Sequence, residues 1–378
     1  MIPREVCAVL QTLERAGHEA YIVGGCVRDI LMGKAPHDWD VTTSALPEET
    51  MALFDHFAIP TGLRHGTVTV LLDGVSAEVT TYRLDGAYHD GRHPDGVRFV
   101  RSLAEDLARR DFTINAMAMD ESGAVTDLFG GRDDLTRHVI RCVGDPETRF
   151  REDALRMLRA YRFAAQLGFS LDAQTQAAIR RCAPLCASLS RERVREEAEK
   201  TLLSDRPEYF GRMLAEGLLG ACIRAENADF SGLSALPKTP EARWTAAKLR
   251  CPAFDPAAFR LPAKLCRLIE LTAQTWREGR TEAEWKRLIA EHGWETAHLQ
   301  ADLQRTDTVR QIELRGDCVT LRQLAVTGAD FPTLCGRDVG RMLHLLLVYA
   351  LEHPDQNTKT QLLAAAPSLW QEENKIQG

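Results

Sequence analysis

The stretch YIVGGCVRDILMGKAPHDWDVTTS, Tyr21–Ser44, decides how this chain is read. A short β-rich run leads into Gly24-Gly25, a helix-like CVRDILMG follows, and a second β-rich run, DWDVTTS, closes the window. Glycines ahead of a helix let the backbone approach an anion, and the free N–H groups of the first turn can donate to a phosphate. Arg28 adds a fixed cation to that turn. Taken alone, Gly24 and Gly25 read equally as a plain strand-to-helix turn, and their spacing fits neither GxGxxG nor the Walker loop. Asp38 and Asp40 sharpen the reading. Residues i and i+2 of a strand project to one face, and two adjacent carboxylates repel unless a cation shares them. Mg²⁺ suits the position, because it takes hard oxygen ligands and fills its shell with water and phosphate oxygens. A lone DxD reads as a solvated strand end; behind a phosphate-type turn it reads as a metal seat.

Outward from this window the first part of the chain alternates helix and strand. PREVCAVLQTLERAG has apolar residues at helical spacing and stops at Gly17. ALPEETMALF predicts a helix with Pro47 in its first turn. GTVTVLLDGVSAEVTTYR predicts a hairpin around Asp73-Gly74. Glu78 lies on its second strand. It is a third carboxylate beside the aspartates if that strand adjoins DWD, and otherwise a surface residue; the pattern does not choose. LDGAYHDGRHPDGVR, polar and Gly-rich, predicts a mobile loop. SLAEDLARRDFTINAMAMD reads as one or two helices, with Arg110 and Asp111 at a helix start. That pair holds a ribose hydroxyl and a phosphate, or else is a structural ion pair. Asn115 reads as a cap or network residue.

Beyond about Leu135 the strand signals fade. REDALRMLRAYRFAAQLG, DAQTQAAIRRCA and SRERVREEAEKTLL read as helices, and the remainder as mostly short amphipathic helices. Breaks are predicted at ALPKTP and CPAFDPAAFRLP. The picture is an α/β head on an all-helical body. In REDALRMLRAYRF, Asp153 and Arg156 stand i, i+3 and share a helical face, which Arg159 and Arg162 continue. One reading is a solvated, ion-paired helix. The other is base recognition: cytosine and adenine each offer an amino donor beside a ring-nitrogen acceptor, which an Asp and an Arg side by side accept while rejecting uracil and guanine.

Composition bounds the options. A chain of 378 residues exceeds one compact core and predicts two to four domains. It is 44% hydrophobic and 27% charged, ordinary for a globular protein. No apolar run approaches the roughly 20 residues of a membrane helix, and the charged, amphipathic start lacks a signal-peptide core; a cytoplasmic location is expected. Ten scattered cysteines without a CxxC pair suggest free buried thiols rather than zinc. A net charge of −7 argues against a broad nucleic-acid coat but leaves room for a local basic track.

The motifs GGCVRD, DWD, RRDFTINAMA and EDALRMLRAYRF, with SRERVREE after them, together resemble the class II tRNA nucleotidyltransferases, the CCA-adding enzymes of the tRNA nucleotidyltransferase/poly(A) polymerase family, whose head is DNA-polymerase-β-like. The likeness runs from about Ala20 to Leu203. It implies an α+β fold: a mixed α/β head with a small, mostly antiparallel sheet (1–135), then a helical neck (136–204), body (205–290) and tail (291–378). It implies that Asp38 and Asp40 hold Mg²⁺; Glu78 stands beside them as a third catalytic candidate from the strand pattern alone. The likeness places Gly24, Gly25 and Arg28 at the triphosphate, and Arg110 and Asp111 at the ribose. Asp153 and Arg156 would read the base as a protein template, with Arg159 and Arg162 as further nucleotide contacts. RLDGAYHDGRHPDGVR would be the loop that helps switch from C to A. The implied activity is addition of CCA to the 3′ end of tRNA from CTP and ATP, by two-metal phosphoryl transfer. The rivals are an A-only adder, a bacterial poly(A) polymerase and a catalytically dead RNA-binding protein. TGLRHGTVTV stands where poly(A) polymerases typically carry a GRRFR-like run, and no HD phosphohydrolase motif is visible.

Overall fold

The structure is a computed structural model that describes residues 2–85, 97–223 and 228–377. The described chain divides into two compact units. One comprises 1–234 and 253–260; the other comprises 235–252 and 261–378. The divisions fall at the two proline-bearing breaks.

The first unit begins with a helix, α1 (Arg4–Arg15), whose Val6, Val9, Leu10 and Leu13 are buried. Then come β1 (Ala20–Val23), α2 (Gly25–Leu31), β2 (Trp39–Thr43), α3 (Pro47–Phe54), β3 (Ala58–Gly62), β4 (Thr67–Leu72) and β5 (Val75–Thr81). After β6 (Arg83–Asp85) and β7 (Val97–Phe99) follow α4 (Leu103–Ala108), β8 (Met117–Met119), β9 (Val125–Asp127) and α5 (Gly131–Thr136). Seven of these strands form one sheet in the order β3-β4-β5-β2-β1-β8-β9. Its pairings are antiparallel except β2 with β5, which is parallel. The hairpin at Asp73-Gly74 is present, with φ of 46° and 86°, the two positive values of a type I′ turn. Along β5, Ala77, Val79 and Thr81 are buried while Ser76 and Glu78 are exposed, so one sheet face makes core and the other is left for chemistry. The parallel register sets Asp40 opposite Glu78. The strand bearing Glu78 does therefore adjoin DWD.

Three local expectations change. DFTINAMAMD is not helical: after α4 the chain makes a short 3₁₀ turn, Thr113–Asn115, and then runs as β8 between β1 and β9. All three β8 residues are buried, and a short apolar run buried on both sides carries no period that separates strand from helix. Arg110 and Asp111 accordingly follow the end of α4 rather than starting a helix. Second, REDALRMLRAYRFAAQLG is two helices. α6 (Pro146–Glu152) ends at Asp153, which is extended at φ −144°, ψ 105°, and α7 (Leu155–Leu167) starts anew. Third, a parallel two-residue ladder joins Val139–Ile140 to Ser170–Leu171 beyond the head. Of the stretch read as a mobile loop, β6 and β7 pair antiparallel; residues 86–96, and with them the expected C-to-A switching loop, lie outside the described residues.

The helical part of this unit continues with α8 (Ala173–Cys182), α9 (Arg191–Leu202) and α10 (Tyr209–Ala215). Asp172 caps α8 by accepting the N–H groups of Gln174 and Thr175. α7 is the central rod, buried from Leu155 through Leu158 and again from Ala160 through Ala165.

The second unit is helical: α11 (Pro240–Arg250), α12 (Ala263–Gln274), α13 (Glu282–Gln304), α14 (Thr308–Arg315), α15 (Arg337–Glu352) and α16 (Lys359–Gln377). Gly293, at φ 82° and ψ 169°, interrupts α13. Trp285, Ile289, Ile312, Leu346 and Leu362 belong to its core. Among the described residues no helix is long and apolar enough to cross a membrane.

One buried carboxylate ties the first unit's sheet to α4. Asp106 is fully buried. It accepts from Thr42 Oγ1 on β2 at 3.2 Å, from Arg109 Nη2 at 2.6 Å and from Arg110 Nη2 at 3.1 Å. Burial pushes its carboxyl up, but the two guanidinium groups outweigh burial and hold it below its ordinary value. Removing one side of a buried ion pair strands the other, typically at about 3–5 kcal/mol. Asp106→Ala is expected to lower the unfolding free energy of the first unit by about 3 kcal/mol, read as a shifted urea midpoint; a shift within experimental error would contradict this anchoring role.

Candidate functional site

A cavity of about 680 Å³ opens in the first unit. One wall is the β1–α2 turn and the approach to β2, contributing Gly24, Gly25, Arg28, Asp38 and Asp40. A second is the segment after α4, with Arg109, Arg110, Asp111 and Asn115. The third comes from the α6–α7 break and α7, with Asp153, Arg156, Arg159 and Arg162, joined by Arg193 from α9. Among the described residues, eight arginines and four aspartates line it. Such a lining suits a polyanion that brings a metal.

Gly24 has a backbone need and a steric one. Its φ of 76° is left-handed territory. A Cβ there would stand 3.2 Å from Arg110 Nη1 and 3.5 Å from Asp40 Oδ2. The missing side chain lets these two groups close over the turn. Asp40's carboxyl is pushed up, first by burial; the Arg110 charge pulls it back, and Glu78 and Asp38 push it up again. Glu78 is exposed and is not part of the cavity lining, yet its charge is felt at Asp40. Among the described residues no three His, Cys, Asp or Glu side chains converge as a metal cage. Mg²⁺ is commonly held by one or two carboxylates plus substrate phosphates, so crowded Asp38 and Asp40, beside a phosphate-suited wall, fit that ion.

A continuous hydrogen-bonded chain crosses the cavity floor. Arg28 pairs with Asp29 at 2.8 Å and donates through Nη1 to Asn115 Oδ1 at 2.8 Å. Asn115 donates to Asp111 Oδ1 at 3.2 Å, and Arg159 reaches Asp111 Oδ2 at 2.6 Å. Asp111 also accepts the Phe112 N–H at 2.8 Å. Both Asp111 oxygens are thus engaged inside the protein, which is not visible from RRDFT alone. Burial raises its carboxyl, but the Arg159 charge and the hydrogen bonds from Arg159, Asn115 and Phe112 outweigh it and hold the pKa at about 2.

Asp153, in the extended break between α6 and α7, and Arg156, in the first turn of α7, line the same cavity. Asp153 Oδ1 accepts the Leu155 N–H at 3.0 Å and so restarts the helix; its Oδ2 accepts from Arg193 at 2.8 Å. Arg156 is held by Glu152 at 2.7 Å and by the carbonyl of Arg109 at 3.1 Å. Arg162 is bound to Glu197 on α9. Sequence reasoning missed Arg193 and Asp106. The i, i+3 and i, i+4 spacing in DLARR could have found Asp106; Arg193 comes from another helix and has no local signal. Buried Arg110 Nε and Arg193 Nη1 have no hydrogen-bond partner among the described residues.

Residues 20–141 match the family model described as the poly A polymerase head domain, and residues 168–222 match the one described as the probable RNA and SrmB-binding site of polymerase A. The chain is similar to the CCA-adding enzyme of Limosilactobacillus reuteri (strain DSM 20016), 51% identical over 229 residues, 60% of this chain and 56% of that protein. It is similar to the CCA-adding enzyme of Geobacillus kaustophilus (strain HTA426), 46% identical over 267 residues, 71% of this chain and 63% of that protein. The match therefore spans less than two thirds of these curated relatives. A solved structure, that of the Bacillus stearothermophilus CCA-adding enzyme in complex with CTP, aligns over 100% of both chains at 33% identity with a TM-score of 0.79.

The depressed carboxyl of Asp111 has a pH consequence. A folded pKa of about 2 against an ordinary value of about 3.9 contributes stability, on the order of 2 kcal/mol, that is complete above roughly pH 4–5 and lost as pH falls toward 2. Unfolding titrations between pH 2 and 6 should show this acid limb, and Asp111→Asn should flatten it; an unchanged limb in the variant would show that Asp111 is not its source.

Proposed function

We propose an activity for a chain that belongs to the CCA-adding enzyme family: template-independent addition of CCA to the 3′ end of tRNA from CTP and ATP, with release of pyrophosphate. The observation that carries it is the cavity in which two crowded carboxylates face a wall of arginines. In this reading residues 1–135 are the catalytic head and 136–204 the neck that reads the base. The helical body (205–290) and tail (291–378) grip tRNA through shape and backbone. The location is the cytoplasm, where the tRNA substrate is.

The reaction is in-line displacement. The terminal 3′-oxygen of tRNA forms a bond to the α-phosphorus, the α–β anhydride bond breaks, and pyrophosphate carries away the charge. The family's nucleotidyl transfer generally uses a divalent metal, and Mg²⁺ is our assignment, held by Asp38 and Asp40 with Glu78 adding negative charge beside them. When bound, such an ion stabilises charge on the reacting oxygens. The protein's own part is positioning. Gly24, Gly25 and Arg28 seat the triphosphate. Arg110 meets the nucleotide next to Asp40, and Asp111 sets the ribose side of the floor. Asp153 and Arg156 present an acceptor and a donor to the base edge, and Arg159 and Arg162 supply further charge. No protein nucleophile is needed.

The deciding assay supplies Mg²⁺ and tRNAs ending before CCA, after C and after CC, with CTP and ATP singly and together. Addition that completes CCA and stops is the expected outcome. Long A tails would make the protein a poly(A) polymerase, and A added to the CC-ending tRNA alone would make it an A-only adder. No addition to any tRNA would leave an RNA-binding protein. Asp40→Asn should lower the rate on the order of 10³-fold, several kcal/mol of transition-state stabilisation, with tRNA binding retained; full turnover would remove Asp40 from the metal site. Arg156→Ala should weaken rejection of UTP and GTP by about tenfold or more, the worth of one hydrogen-bonded base contact; unchanged selectivity would rule out the template role.

A further inference from the structure

Phe163 lines the cavity from α7 and is 6% exposed. Three guanidinium carbons stand around its ring. Arg162 lies 3.9 Å from the centroid, Arg28 5.3 Å and Arg159 5.4 Å. All are within the roughly 6 Å over which an aromatic face attracts a cation. They come from two parts of the first unit: Arg28 from α2, and Arg159 and Arg162 from α7, the helix of Phe163 itself. Phe112 packs edge-on against the same ring, with centroids 5.8 Å apart at 81°. That contact restricts how the ring can tilt.

Each of the three arginines also has a carboxylate partner: Asp29, Asp111 and Glu197 respectively for Arg28, Arg159 and Arg162. Those carboxylates lie apart from one another in the chain. They balance charge, but they do not explain why three cations converge on one point. Their mutual repulsion is felt: burial lowers the proton affinity of Arg162, Glu197 restores part of it, and Arg159 lowers it again. An aliphatic side chain of similar size would bring hydrocarbon, and no electron-rich face, to that point.

We propose that Phe163 is a positioning residue for nucleotide binding, its ring gathering the guanidinium groups of Arg28, Arg159 and Arg162 so that they meet one polyanionic nucleotide together. This rests on the nucleoside-triphosphate reading given above. The ring links the cation assigned to the triphosphate with the two assigned as further nucleotide contacts, and it acts through them without touching the ligand.

The test keeps the side chain's shape and changes its electrons. In the full-length protein Phe163 is replaced by mono-, di- and trifluorinated phenylalanine, which weaken the ring's negative face stepwise at nearly constant size. Equilibrium binding of CTP and of ATP is measured, together with KM and kcat for addition to tRNA and the thermal midpoint. Kd and KM should rise stepwise, to about tenfold for the most fluorinated ring, with kcat changing much less. Phe163→Tyr should hold both nucleotides nearly as well as the unaltered protein, and Phe163→Leu should lose at least as much as the trifluorinated ring. A flat series in a protein that binds CTP and ATP would overturn the role of Phe163 and leave the CCA-adding reading intact. So would a thermal midpoint that falls with fluorination while Kd stays constant, since the ring would then serve the fold alone. Failure of the unaltered protein to bind either nucleotide would overturn both.

Discussion

Like charges repel, and of the eight arginines that line the cavity among the described residues seven are tied down by carboxylates from inside the protein. Arg28 has Asp29; Arg109 and Arg110 share Asp106; Arg156 has Glu152; Arg159 has Asp111; Arg162 has Glu197; Arg193 has Asp153. Each carboxylate turns a mobile, hydrated side chain into a fixed donor. The ties also carry the architecture. Asp106 bonds α4 to β2, Glu197 bonds α9 to α7, and Asp111 bonds the segment after α4 to α7. The charge pattern of the cavity and the packing of the first unit are therefore one set of contacts.

The sheet supplies the opposite sign. Its single parallel pairing brings Asp40 level with Glu78, although the two lie far apart in the chain. The alternation of β5 then keeps Ala77 and Val79 in the core while Glu78 faces out. Burial and neighbouring carboxylates strain the charge on Asp40, and Arg110 relieves part of it. The proposed metal seat is thus electrostatically unsettled, and a divalent cation answers it while the phosphates that carry the cation meet the arginine wall.

Much of this was legible in the sequence, for reasons that can be named. The hairpin showed because Asp73-Gly74 supplies the two positive φ values its turn requires. The window around Gly24 showed because glycine, arginine and paired aspartates at close spacing are hard to place elsewhere. β8 did not show, since a short strand buried on both faces has no period to read. The α6–α7 break was hidden because Asp153 lies in a run whose neighbours are good helix formers. Arg193 was hidden because it lies on α9, 40 residues along the chain from its partner Asp153 in the α6–α7 break. Asn115 was read as a network residue and is one, bridging Arg28 to Asp111. Asp29 is the counter-charge of Arg28, a local structural role.

The interruption at Asp153 has a consequence for how such a site can change. One oxygen of its carboxylate holds the first turn of α7 and the other holds α9 through Arg193. In the proposed function the same group presents an acceptor to the incoming base. Selectivity and local folding are then coupled through a single side chain, so drift toward another base pattern passes through sequences in which the helix start is weakened. A site built this way resists gradual retuning: its preference is protected by the instability of its own intermediates.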